Sequence, residues 1–294
     1  MQLDLFLDSH EVVLANQVVE ALLARDGMRA TTAFAALAHD GPDHPALPAL
    51  KILSCALAGW DPPEAQSAAI AQRMAWLEQD VVPAATAALG ASAHQFLHPF
   101  LVELAEAARG LQYDAHHPCA YRAYICVQCG DYSGAEQAVL ATPDWVQNRD
   151  ALHWLSVARY RRDGLDAARG TVFQLAWREP ARLAALLTEL DDRLLLREWN
   201  AFEAACPWRG IAEHELASWF PAWYLMEHPG AAGAFRDMTL PDTPATIAVR
   251  LLLRLLELER EADVRALSTQ RARLRELNPD LFTLYMARRT VQHR

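Results

Sequence analysis

Six residues, Gly130-Asp131-Tyr132-Ser133-Gly134-Ala135, return in degenerate form 33 positions later as Asp163-Gly164-Leu165-Asp166-Ala167-Ala168. A recurrence at this interval has the length of a helix-turn-helix unit. Such a unit cannot bury its apolar face alone and must stack on its neighbours. The rest of the chain agrees. Residues 9–26 place Val12, Ala15, Val19, Leu22 and Leu23 on one stripe at helical spacing. Asp8 and Glu11 have the spacing of a capping box, Leu7 can staple to Val12, and Gly27 offers a left-handed stop. Further breaks fall at Gly41-Pro42, Asp61-Pro62-Pro63, His117-Pro118, Thr142-Pro143, Pro229-Gly230 and Pro241 to Pro244. Thr243-Pro244 reads as an N-cap followed by proline in the first helical position, and Asn278-Pro279 closes one helix and opens the last. Period-two alternation is nearly absent after the first seven residues. The expected fold is all-α, an α-solenoid of stacked antiparallel helix pairs. It is expected as a single domain over 1–294, with two lobes, 8–112 and 113–294.

Bulk properties narrow the function classes. A chain of 294 residues, 52% of them hydrophobic, has enough apolar surface for a large core. No run of about 20 apolar residues is present, so no membrane span is expected. Asp4 and Asp8, with no Lys or Arg before Arg25, are unlike a secretory leader. Five cysteines, an odd number, read as reduced thiols of a cytoplasmic protein. A net charge of -10 opposes direct binding to nucleic acid, which needs a cationic face against phosphates. The charge is uneven. From Pro244 onward ten Arg stand against six Asp and Glu, leaving that segment near +4 and the rest near -14. A basic face for an acidic partner and a solvated helix face with paired charges are the two readings of this tail.

Residues 116–180 resemble two tetratricopeptide repeats. In the first, Gly130-Asp131-Tyr132 closes helix A, and Ala135 takes the small position where helices A and B cross. In the second, Ala168 takes that place and Pro180 stands where the family's proline ends helix B. Cys126 and Arg159 depart from the pattern, standing where the family usually has tyrosine. The resemblance covers about a quarter of the chain, with weaker echoes at Ala56 to Ala65 and Leu274 to Pro279. It implies a concave channel lined by the A helices, which takes an extended peptide. Carried over, the lining residues are His117, Tyr124 and Gln128 from the first repeat and His153, Tyr160 and Arg161 from the second. These rings and donors suit a protein or peptide partner with an acidic group. The alternative is that they contact another part of this chain.

No catalytic constellation, metal site or cofactor motif emerges. Cys126-Val127-Gln128-Cys129, with Cys119, His116 and His117 nearby, lacks the second pair that a zinc signature needs. In the repeat register Cys119 and Cys126 fall on inward positions, where cysteine behaves as a small hydrophobe. His94 and His98 lie four apart on a helix but lack the glutamate of HExxH, and His214-Glu215 has Ser218 in place of the second histidine. The aromatic run Trp219-Phe220-Pro221-Ala222-Trp223-Tyr224, with Trp199 and Trp208 upstream, reads as core more readily than as a binding pocket.

One short motif points elsewhere. Gln2-Leu3-Asp4-Leu5-Phe6 resembles, at every place, the linear peptide by which bacterial replication and repair proteins attach to the DNA polymerase sliding clamp. The resemblance implies that Gln2 makes polar contacts at a cleft mouth while Leu5 and Phe6 enter an apolar pocket. The competing reading is a structural cap, in which Leu3, Leu5 and Leu7 fold back on the first helix. The sequence therefore supports a non-enzymatic adaptor, with a clamp-tethered replication or repair accessory as the alternative.

Overall fold

The computed structural model describes residues 2–205, 208–236, 238–261 and 263–292, with side chains described from residue 10 to 290. Among these the chain is all-α, with no strand. It divides into two units, Met1–Ala138 and Val139–Arg294.

The first unit opens with α1 (Gln2–Leu23), α2 (Gly27–Asp40) and α3 (Leu47–Ala58), consecutive helices packed on one another. The inward stripe of α1 is Leu14, Val18, Ala21 and Leu22, which shares only Leu22 with the one expected: Ala15, Val19 and Leu23 are half-buried and Val12 is 52% exposed. The expected capping box at Asp8 is also absent, because the helix already begins at Gln2. Nor does Gly27 make the turn that ends the helix. Arg25 does so at φ 57°, because the Asp26 side chain accepts from the Arg29 N–H and so starts α2 at Gly27. The strained Arg25 lays its guanidinium over Phe100, 4.5 Å from the ring centre.

The next helices are α4 (Ser67–Trp76), α5 (Val82–Leu89) and α6 (Ala93–Ala107). Between α4 and α5 the helix does not break but widens into a π-turn, Leu77–Val81. Pro83 lacks an N–H and would clash with the carbonyl four residues back. The turn lets the Val82 N–H reach Leu77 O and carries the chain past it. The unit closes with α7 (Arg122–Cys129) and α8 (Tyr132–Leu140), the division between units falling inside α8. Gly130 ends α7 in the left-handed conformation, φ 81°, and Asp131 accepts from Gly134 N to start α8. Ala135 is fully buried, and buried Tyr121 donates to the carbonyl of Ala138, pinning the start of α7 to α8.

In the second unit α9 (Arg149–Asp163) and α10 (Leu165–Arg178) form the most intimate helix pair. Gly164, φ 84°, turns the chain, and Ala168 is fully buried. Both helices are buried nearly all round: Ala151, Leu152 and Trp154 to Ala158 on α9, Thr171 to Trp177 on α10. Pro180 opens α11 (Pro180–Leu190), which packs on both. There follow α12 (Arg193–Ala205), a 3₁₀ turn Glu213–Trp219 leading into α13 (Phe220–Glu227), and α14 (Ala232–Arg236). Phe220 sits at the centre of this unit's core. Its ring lies within 6.1 Å of Phe173, Trp199, Phe202, Trp223 and Tyr224. The unit ends with three helices, each packed on the next: α15 (Pro244–Glu261), α16 (Val264–Leu277) and α17 (Pro279–Gln292). Arg250, Arg254, Arg271, Arg288 and Arg289 of this basic segment all meet carboxylates, which favours the paired-charge reading for half of its arginines.

Candidate binding sites

Three of the six residues expected to line a channel come together in the second unit, on α9 facing the end of α11. His153 Nε2 is 2.7 Å from Glu189 Oε2, and Arg161 Nη2 donates to the Glu189 carbonyl at 2.8 Å. The Tyr160 hydroxyl donates to Asp192 Oδ2 at 2.8 Å, and the Arg161 guanidinium lies 5.8 Å from the Tyr160 ring centre. Helical spacing explains the grouping, since residues 153, 160 and 161 lie seven and eight positions apart on one face. The charges answer one another. The hydrogen bond from His153 holds the Glu189 carboxyl below its usual range. Burial pushes Asp192 up, but the Leu195 N–H and the Tyr160 hydroxyl outweigh it and leave Asp192 low. Burial, then the bond to Asp192, raises Tyr160.

The other three lie in the first unit. His117 is not on α7 but in the turn before it, its Nδ1 2.9 Å from Asp114 Oδ2. That bond, with one from the His116 N–H, draws the Asp114 carboxyl down. Tyr124 donates to Glu78 at 2.5 Å, and Gln128 is exposed. Five of the six side chains thus have a partner within their own unit, and in each case the partner includes an acidic residue.

Cys126 and Cys129 are placed for packing: they are 1% and 5% exposed, and Cys129 Sγ donates to the Cys126 carbonyl at 3.3 Å. Hydrogen bonding to Cys129, then burial, pushes the Cys126 thiol up. Burial, then Glu78, pushes up half-buried Cys119. Among the described residues no three His, Cys, Asp or Glu side chains are grouped to hold a metal. His94 and His98 are exposed, their rings 5.6 Å apart. The aromatic run is core: Trp199, Trp208, Trp219, Phe220, Trp223 and Tyr224 are each at most 9% exposed.

A cleft of about 590 Å³ in the second unit was not anticipated from the sequence. It lies where α11 and α15 begin, at Glu179-Pro180-Ala181 and Thr243-Pro244-Ala245, beside Asn278-Pro279 at the start of α17. Trp177 and Trp219 form part of its wall, and Arg209, His214, Glu215 and Ser218 its polar edge. Its only advance signal was proline at the first position of each helix, which marks a start but not a meeting point.

Gln2 to Phe6 occupy the first turns of α1 by their backbone. The side chains of Gln2, Leu3, Asp4, Leu5 and Phe6, on which the clamp reading depends, lie outside the described residues. Comparison with known proteins adds no family: no family model, curated protein or solved structure matches the chain.

Proposed function

We propose that this chain is a non-enzymatic adaptor, a tetratricopeptide-like α-solenoid that binds a protein or peptide partner bearing an acidic group. The observation that carries the reading is the row His153, Tyr160 and Arg161 on α9, three donors directed at the carboxylate, carbonyl and side chain of Glu189 and Asp192. Glu189 and Asp192 hold these donors in fixed orientations. Exchange for a partner's carboxylate is inexpensive, because the His153–Glu189 pair is open to solvent on the Glu189 side, where the side chain is 43% exposed. A pair at such a surface contributes only about 0–1 kcal/mol. The partner thus meets preorganised donors and loses little by displacing what they already hold.

The test is affinity capture with the full chain beside a His153→Ala/Tyr160→Ala/Arg161→Ala variant whose fold is verified by circular dichroism and thermal melting. Loss of a specific partner by the folded variant supports the assignment. Retention of the same partners refutes it.

The second reading, a DNA replication or repair accessory tethered to the sliding clamp, is favoured by the fit of Gln2-Leu3-Asp4-Leu5-Phe6 at every place of that peptide. Binding requires the first turn of α1 to unwind, which costs little at a helix terminus. Burying Leu5 and Phe6 is worth about 3–6 kcal/mol together. Titration against a bacterial sliding clamp, beside Leu5→Ala/Phe6→Ala, decides it. Binding lost in the variant supports a tether, and no binding by the intact chain removes this reading.

A further inference from the structure

We propose that the cleft at the starts of α11 and α15 binds an organic carboxylate carried on an apolar or aromatic body. At about 590 Å³ it is of ligand size. Much of its wall is apolar: Trp177, Trp219, Ile211 and Leu277, with the three prolines. Among the polar groups at its edge one is left unpaired. Arg209 is exposed at the edge, and its guanidinium has no hydrogen bond or ion pair among the described residues. Its backbone is fixed, because Arg209 N donates to Asp280 Oδ2 of α17 at 2.7 Å. The loop is therefore anchored while the side chain stays available, and a planar guanidinium matches a carboxylate through two parallel hydrogen bonds.

Two more donors face the same space. Ala181 and Ala245, second residues of α11 and α15, line the cleft, and among the described residues their backbone N–H groups bond to nothing. Unmet N–H groups at helix starts carry partial positive charge and attract anions. Independently of the helix ends, the Trp177 side chain in the wall is 4% exposed and its Nε1–H has no partner. A buried indole donor left unmet is unfavourable as it stands.

The charge of the ligand follows from the remaining lining. Glu179 and Glu215 stand in the same cleft as Arg209 and His214, and Glu179 has no cationic partner among the described residues. With two carboxylates beside one permanent cation the lining is net negative, so an anion is held only by direct contact with Arg209 and the helix-start N–H groups, and a dianion is disfavoured more than a monoanion. A carboxylate is favoured over a phosphate monoester on this ground. The site is separate from the α9 row. The start of α11 lines the cleft and its end carries Glu189, so the two stand roughly 15 Å apart along 11 residues.

The experiment is calorimetric titration of the full chain with N-acetyl-tryptophan, its amide and inorganic phosphate, repeated on Arg209→Gln. The acid should bind below about 1 mM, and both removal of its charge and Arg209→Gln should weaken binding roughly 10-fold or more. Ser218→Trp, which fills the cleft from its edge, should abolish binding, while the triple α9 variant should bind normally. A peptide ending in tryptophan separates two sources of the carboxylate: tighter binding than the acid assigns a chain terminus, weaker binding a small molecule. The proposal is overturned if the acid gives no heat up to about 10 mM. It is equally overturned if the amide or phosphate binds as well as the acid, or if folded Arg209→Gln binds like the unaltered protein.

Discussion

Phe220→Ala should destabilise the second unit by about 4–5 kcal/mol, a figure assembled from its surroundings. The side chain is 0% exposed, so the full transfer free energy of a phenyl group is lost, about 2 kcal/mol. Removing the ring opens a hole of about 100 Å³, which adds roughly 2 kcal/mol at about 24 cal/mol per Å³ if the walls do not collapse. Collapse is hindered, because the neighbours are themselves rigid rings held on several helices. Phe173 comes from α10, Trp199 and Phe202 from α12, and Trp223 and Tyr224 from the same helix as Phe220. Lost edge-to-face contacts add about 0.5–1.5 kcal/mol each where the geometry is favourable. Phe220→Leu keeps most of the volume and should cost less than half as much. The assay is urea unfolding followed by near-ultraviolet circular dichroism, which reports the packed tryptophans. Calorimetry should show the melting temperature falling by about 2–4 °C per kcal/mol, or roughly 8–20 °C. A loss under about 1.5 kcal/mol for the alanine variant would mean that this aromatic cluster is not the unit's core. The alternative, an aromatic docking surface, would then have to be reopened.

Two further perturbations test other parts of the structure. Buried Tyr285 donates to Glu259, and the guanidinium groups of Arg271 and Arg289 lie 5.7 and 5.4 Å from its ring centre. Burial, then the Glu259 bond, raises its phenol above the ordinary value near 10. Because the folded value is the higher one, its contribution is complete below about pH 10 and is lost as pH rises through the folded value, by up to about 1.4 kcal/mol per unit. Tyr285→Phe should flatten that decline in urea unfolding measured across the alkaline range, and an unchanged slope would contradict the assignment. Gly130→Ala should cost about 1–2 kcal/mol purely through its backbone, since φ is 81° and an added Cβ meets nothing within 4 Å. A neutral result in denaturant unfolding would show that the α7–α8 turn is not left-handed.

The turns of the repeat region were legible because their causes are local. A glycine at positive φ and a small residue on a buried helix face leave the same mark wherever they occur: Gly130 and Gly164 have φ 81° and 84°, and Ala135 and Ala168 are fully buried. The register of α1 was not, because the helix is apolar on more than one side. Val12 and Val13 are as hydrophobic as Leu14 and Val18, and only the position of α2 and α3 decides which face is covered. The turn after α1 shows two local rules in conflict. Glycine at 27 invites a left-handed stop, yet aspartate at 26 is a strong helix cap, and a cap at 26 forces the reversal onto Arg25. The sites failed to show for a different reason. His153 and Tyr160 meet carboxylates 36 and 32 residues away, and three proline-marked helix starts come from segments far apart in the chain. A sequence displays each donor and each start singly, with no sign of what will face it. Where a cation has a carboxylate nearby in sequence, as Arg169 has Asp166 and Arg109 has Glu106, the pair is visible in advance. Arg209 has Glu213 four positions on, but the chain between them is not helical, and among the described residues the fold gives its guanidinium no ion pair. An unpaired arginine whose backbone is anchored and whose side chain borders a ligand-sized space is a feature that only the tertiary structure can display.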